Sequence, residues 1–317
     1  MLFSPAPMHI PDGFLSTPVA VFFWIVAVLA VALALRRVGK DLGERQVPLM
    51  GVMAAAIFAG QMLNFSVAGG TSGHLLGAAI ATILLGPWPA VVVMTTVVSI
   101  QALIFQDGGL LALGANLFNM AIVGVAVSYF FYTSLQRLFG GRAWGMFVSG
   151  FVAAWSSIFI ASLSAALQLA VSGTSPANVA VPAMAGVHAL IGIGEGLITV
   201  GTLAFLYASR RDLVRAGPEG TRAGGVVWAF GLGIALLLAV LSPLASANPD
   251  GLEWVAQKQG FLEAARGPFY NLIPDYVLPG VSNEALATIL AGIVGTLIVF
   301  GVALGIAVVR RSRKAEA

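Results

Sequence analysis

Nine apolar runs, most of them close to a bilayer crossing in length, constrain this chain more than any other feature. They fall at about 18–35, 48–65, 74–86, 88–105, 110–132, 144–170, 181–208, 226–244 and 285–309. Runs of roughly 20 apolar residues match the hydrocarbon core of a membrane, where an α-helix satisfies its own backbone. The sequence therefore predicts an all-α, polytopic membrane bundle of about nine spans. The run at 74–86 is short for a crossing, so it is expected to be tilted, re-entrant or partly buried in protein. Gly86-Pro87-Trp88-Pro89 marks a tight turn directly after it. With 59% hydrophobic and only 9% charged residues, a soluble globular domain is excluded. The absence of Cys removes disulfides and thiolate ligands, leaving nitrogen, oxygen or Met sulfur for any metal.

Charge placement orients this bundle. Arg36, Arg37, Lys40 and Arg45 follow the first run, and Arg137 and Arg142 the fifth. Arg210, Arg211, Arg215 and Arg222 follow the seventh, and Arg310, Arg311, Arg313 and Lys314 the ninth. With nine crossings all of these share one face, leaving only Lys258 and Arg266 opposite. The positive-inside rule then puts the N-terminus outside and the C-terminus in the cytoplasm. The net charge of +3 is thus a matter of topology and points to no nucleic-acid partner. The pattern divides the chain into a seven-helix core at 8–209, a cytoplasmic linker at 210–225 and a two-helix unit at 226–317. The last holds a long outer loop at 245–284, whose Pro and Gly content favours an ordered cap.

The chain has three histidines. His9, in Met8-His9-Ile10-Pro11-Asp12-Gly13-Phe14-Leu15, is the second residue if Met8 is the first. A free amine, the next amide nitrogen and an imidazole Nδ1 can then close fused chelate rings around Ni(II) or Cu(II), which favour planar nitrogen sets. Met1 to Pro7, too short and uncharged for a signal peptide, would have to be absent. His74 sits in the Gly-rich stretch Gly69 to Gly77, on the same outer rim. Thr71 or Ser72 is expected to cap the following helix and present His74 in its first turn. The Met8 amine, His9 amide, His9 ring and His74 ring together would suit nickel or cobalt and disfavour magnesium or calcium.

His188 and Glu195 lie seven residues apart on the seventh run, on roughly one helix face. An intramembrane carboxylate is a functional candidate, and two roles compete for Glu195: a structural bond between spans or a hydrated step in an ion's path. Direct ligation by His188 is disfavoured by its depth. Gln61, Asn64, Gln101, Gln106, Asn116 and Asn119 form a polar series expected to surround the histidines or to bond helices together. Asp12 is expected to hydrogen-bond the N-terminal turn and hold His9. No phosphate-cradling loop, catalytic triad or His-Glu-x-x-His pair appears, so the sequence offers no nucleotide-binding motif of its own.

The Met8–Leu15 motif, the Gly70-Thr71-Ser72-Gly73-His74-Leu75 stretch and Ile191 to Thr199 resemble the cobalt/nickel substrate-binding membrane subunit (CbiM/NikM family) of energy-coupling-factor importers. Pro249-Asp250-Gly251-Leu252-Glu253 resembles the two-helix PDGLE (CbiN/NikN-like) domain that accompanies that subunit. The resemblance implies a non-catalytic specificity subunit with Ni(II) or Co(II) as cargo and no cofactor. Its metal ligands would be Met8, His9 and His74. The implied partners are a transmembrane coupling subunit (CbiQ/NikQ-like), cytoplasmic ATPase subunits (CbiO/NikO-like) and the lipid bilayer. Many relatives carry Cys where this chain has Gly73. Two other classes remain: an intramembrane enzyme centred on His188 and Glu195, and a stand-alone secondary metal transporter. Against the second, the interior offers one carboxylate and no matched broken repeats.

Overall fold

Along the first long helix, small residues face the protein and large ones face outward. In the computed structural model, which describes residues 8–43, 46–215 and 225–315, α1 runs over Thr17–Asp41. Its Ala20, Ala27 and Ala34 are buried at heptad spacing, while Val21, Phe22, Ile25, Val28, Leu29 and Leu33 are exposed. That arrangement suits a bilayer, where lipid accepts large apolar side chains and helices associate through small ones.

The bundle then proceeds through α2 (Gln46–Gln61), a hairpin of β1 (Phe65–Val67) and β2 (Thr71–Gly73), and α3 (Ala78–Leu85). Next come α4 (Pro87–Ile100), α5 (Leu113–Leu117), α6 (Gly124–Leu138), α7 (Ala143–Val171) and α8 (Ala177–Ser209). The short α9 (Arg211–Arg215), α10 (Gly225–Leu241), α11 (Gly251–Gln259) and α12 (Glu284–Ala315) complete the chain. Helix α2 is buried on nearly every side, as an all-round apolar helix must be; α4, α10 and α12 pack on it, and α7 packs along α8. A Cβ at Gly295 of α12 would lie 2.2 Å from Phe58 Cζ and 2.6 Å from Phe105 Cζ, so only glycine permits that approach.

Six helical segments among the described residues are long and apolar enough to cross a membrane: Thr17–Gly39, Pro87–Phe105, Leu113–Leu138, Ala143–Val171, Ala177–Ser209 and Glu284–Ser312. The expectation of about nine is therefore corrected. The run at 48–65 holds a 16-residue helix that gives way to the hairpin, and 74–86 holds only the eight residues of α3. The run at 226–244 tightens into a 3₁₀ turn at Ser242–Leu244. Gly77 and Gly86 bound α3 and Pro243 lies in the 3₁₀ turn, so apolar sequence continues where regular helix does not. The orientation read from charge required nine crossings and no longer follows. Met1 to Pro7, Arg45, Arg222 and most of the expected linker lie outside the described residues.

Two π-helical segments, Gln101–Phe105 and Phe118–Val123, flank the connection that carries Asp107. Such segments widen a helix locally and are frequent at functional sites. The tight turn expected at Gly86 is present: Gly86 adopts φ +83° and Pro87 opens α4. His74, however, is in no helical turn. Thr71 and Ser72 belong to β2, and α3 begins only at Ala78, after Gly77.

The connection that carries His74 is fixed from α8. Glu195 is fully buried (0% exposed); its Oε2 accepts the Leu76 amide at 2.7 Å and its Oε1 the Gly77 amide at 3.0 Å. Replacing Glu195 by Ala leaves two buried N–H groups without an acceptor, a loss of roughly 2–5 kcal/mol. The detergent-solubilised variant is expected to melt well below the parent, with Glu195→Gln between them. An unchanged melting temperature would contradict the clamp.

Candidate metal centre

The N-terminal segment is folded inward and laid along residues 107–116. Asn116 pairs with both polar groups of Ile10: its Oδ1 accepts the Ile10 amide at 3.1 Å and its Nδ2 donates to the Ile10 carbonyl at 3.0 Å. The Gly109 amide donates to the same carbonyl at 3.0 Å. Asp12 accepts from three successive amides, Leu110 at 3.1 Å, Leu111 at 2.8 Å and Ala112 at 3.0 Å. A Cβ at Gly109 would fall 2.0 Å from Asp12 Oδ1, so the glycine is what admits that carboxylate. Asp12 thus anchors the turn three residues beyond His9, and Met8, His9 and Ile10 are buried as a result.

Three nitrogens of this segment face one oxygen. Asp107 Oδ1 lies 2.7 Å from Met8 N, 3.2 Å from His9 N and 3.3 Å from His9 Nδ1; the Asp107 carbonyl is also 3.2 Å from His9 Nδ1. Asp107 is 2% exposed, and its Oδ2 accepts the Tyr276 hydroxyl at 2.7 Å. The other ring nitrogen of His9, Nε2, is buried with no hydrogen-bond partner. Burial, then the Asp107 charge, pushes the Tyr276 hydroxyl well above its ordinary pKa and keeps it a donor.

His74 stands beside this group. Its ring centroid is 5.7 Å from that of His9 at an interplanar angle of 85°, and its Nδ1 is 3.0 Å from the Leu75 carbonyl. Desolvation, followed by the neighbouring His9, lowers its pKa to about 4, so the imidazole is neutral at ordinary pH. A neutral imidazole can offer a lone pair without first losing a proton.

A cavity of about 90 Å³ opens onto Met8, His9, His74, Asn116, His188 and Asp250. His188 reaches its wall from α8, with Nδ1 2.9 Å from the Met184 carbonyl. The C-terminal loop closes the opposite side: the Ser72 amide donates to the Pro249 carbonyl at 2.8 Å, and Ser72 Oγ to the Asn248 carbonyl at 2.8 Å. Asp250 caps α11 by accepting the Glu253 amide at 2.7 Å, and burial raises its pKa well above the ordinary range.

Met8, His9, His74, Asn116 and His188 are therefore brought together, with Asp12 just behind them. Asn64, Gln101 and Glu195 do not line the cavity. The Asn64 carbonyl accepts the Ser246 amide at 2.8 Å. Gln101 donates to Gln61 at 2.8 Å, and Gln61 donates to the Leu76 carbonyl at 2.9 Å. Asn119 bonds Gln168 at 2.9 Å, and Gln106 reaches the Tyr270 carbonyl. Sequence reasoning missed Asp107 and Tyr276. The signal for Asp107 was an acid at a span end followed by Gly108 and Gly109; Tyr276 offered none. Among the described residues no three His, Cys, Asp or Glu side chains form a metal-binding cluster; the convergence is of backbone and ring nitrogens. Gly73 is matched to its place, because a Cβ there would lie 2.5 Å from Ile191 Cγ2.

Residues 9–213 match the family described as the cobalt uptake substrate-specific transmembrane region (CbiM), and residues 225–312 match the PDGLE domain. The NikMN protein of Archaeoglobus fulgidus is 39% identical over 311 residues, covering 97% of this chain and 100% of its own length. The fused nickel transport protein NikMN of Rhodobacter capsulatus is 32% identical over 353 residues, covering 97% of this chain and 100% of itself. A crystal structure described as a truncated transition metal transporter is 34% identical. It superposes with a TM-score of 0.58, covering 64% of this chain and 99% of that one. With its long apolar helices, the chain is a multi-pass protein of the bacterial or archaeal cytoplasmic membrane. It belongs to the CbiM/NikM family, as the non-catalytic substrate-binding subunit of an energy-coupling-factor importer for nickel or cobalt, fused to a PDGLE domain.

Proposed function

We propose that the chain captures its cargo ion with the Met8 amine, the His9 amide nitrogen, the His9 ring and the His74 ring, and that the favoured ion is Ni(II). The observation that carries this reading is the focus formed by Met8 N, His9 N and His9 Nδ1, all within 2.7–3.3 Å of one oxygen. Groups that share a single acceptor need little rearrangement to share a single cation, and preorganisation of this kind lowers the ordering cost of binding. The His74 ring, neutral and edge-on to His9, supplies the fourth nitrogen. Four nitrogens in a plane match the tetragonal preference of Ni(II) and lack the oxygens that magnesium or calcium would require. Two relatives that each match 97% of this chain carry the name NikMN, and the Rhodobacter capsulatus protein is named for nickel transport.

The amine donor requires Met8 to be the first residue of the working protein. Metal binding at His9 N also displaces the amide proton, so the ion is held more weakly as the pH falls. The core at 8–209 would serve as the binding unit and the part from 226 as its accessory, joined through 210–225. A CbiQ/NikQ-like coupling subunit and CbiO/NikO-like ATPases would supply the power stroke, since this chain carries no nucleotide-binding motif.

Two experiments test the reading. Purified protein beginning at Met8, verified by intact mass, is expected to bind Ni(II) tightly in titration. Protein retaining Met1 to Pro7 is expected to bind far more weakly. Equal affinity would overturn the amine donor. In the Met8 version, His74→Ala is expected to cost at least about tenfold in affinity, the scale on which changes that merely orient ligands already act. His188→Ala is expected to cost less than His74→Ala, and the reverse order would move the site deeper into the bundle.

A further inference from the structure

Tyr276 is held in an uncommon way for an aromatic residue outside any long helix. It is 2% exposed, and it follows Asp275 in adopting a positive φ, +57° after +52°. A bulky residue in that region is strained, and strain persists where the surroundings fix it. Here the ring stacks on Phe105 at 4.8 Å and 14° and lies 6.1 Å from Phe58. The hydroxyl is thereby aimed at Asp107 Oδ2, 2.7 Å away.

We propose that Tyr276 is a positioning residue of the metal centre, contributed by the C-terminal unit, which acts by fixing the carboxylate of Asp107. The proposal rests on the nitrogen site argued above. Asp107 has two oxygens with separate duties: Oδ1 gathers Met8 N, His9 N and His9 Nδ1, and Oδ2 receives Tyr276. A carboxylate held at one oxygen cannot rotate freely about the other, so the hydroxyl sets where the three nitrogens meet. A residue of the PDGLE part therefore shapes the centre without facing its cavity.

The test uses the full chain beginning at Met8, with Ni(II) as probe. Four proteins are titrated: parent, Tyr276→Phe, Asp107→Asn and the double variant. Phenylalanine keeps the stacked ring, and melting temperatures verify folding. Tyr276→Phe is expected to lower Ni(II) affinity about tenfold, in the range that residues orienting metal ligands command. It should also shift the visible absorption of the bound ion. In the Asp107→Asn background the same change is expected to cost nothing further, because the tyrosine acts only through that carboxylate. An unchanged affinity in Tyr276→Phe, or an equal loss in both backgrounds, overturns the proposal while leaving the chelate standing. Absence of Ni(II) binding by the parent overturns the chelate and this proposal with it. Should Tyr276→Phe fail to fold, 3-fluorotyrosine at 276 alters the donor strength of the hydroxyl alone, and an affinity that does not move then overturns the role.

Discussion

A buried carboxylate must be matched by donors, and Asp107 is the group around which this end of the protein is arranged. Withdrawing a charge from water costs several kcal/mol unless hydrogen bonds replace the lost hydration. The Met8 and His9 amides and the Tyr276 hydroxyl meet that need from opposite sides. One set comes from the N-terminal segment and the other from the C-terminal loop, so the carboxylate joins distant parts of the chain. Removing either set would leave an acceptor unsatisfied in a site closed to solvent.

The surrounding bundle makes that closure possible. Small residues along α1 and the glycine at 295 let helices approach closely, and large side chains are left to lipid. Between the spans, Glu195 performs for residues 76–77 what Asp12 performs for residues 110–112. Each carboxylate collects consecutive amides and fixes a non-helical connection. Irregular backbone within an apolar bundle is tolerated where its amides find such partners, as those of residues 76–77 and 110–112 do. The two histidine-bearing segments are held on separate supports and meet at the cavity.

Much of this site is legible in the sequence, because its proposed ligands sit in local motifs. Met8 and His9 are adjacent, His74 lies among glycines, and Asp12 is three residues from the histidine it steadies. Asn116 could be placed near them only by its span. Tyr276 carries no local signal: its partner is 169 positions away, and the turn that aims it depends on packing against Phe105. The count of spans failed for a related reason. Hydropathy registers apolar residues whether or not they form continuous helix, so the runs at 48–65 and 74–86 read as crossings although they hold a 16-residue helix and the eight-residue α3. Long-range hydrogen bonds, such as those from Glu195 to Leu76 and Gly77, give no periodic trace.

The central claim is that backbone and ring nitrogens, gathered at one focus, hold the ion. Nickel K-edge X-ray absorption of the metal-loaded chain beginning at Met8 addresses it directly. The account predicts a four-coordinate, planar shell of nitrogen donors with no sulfur. A six-coordinate shell rich in oxygen would contradict it and place the ion among carboxylates and water instead.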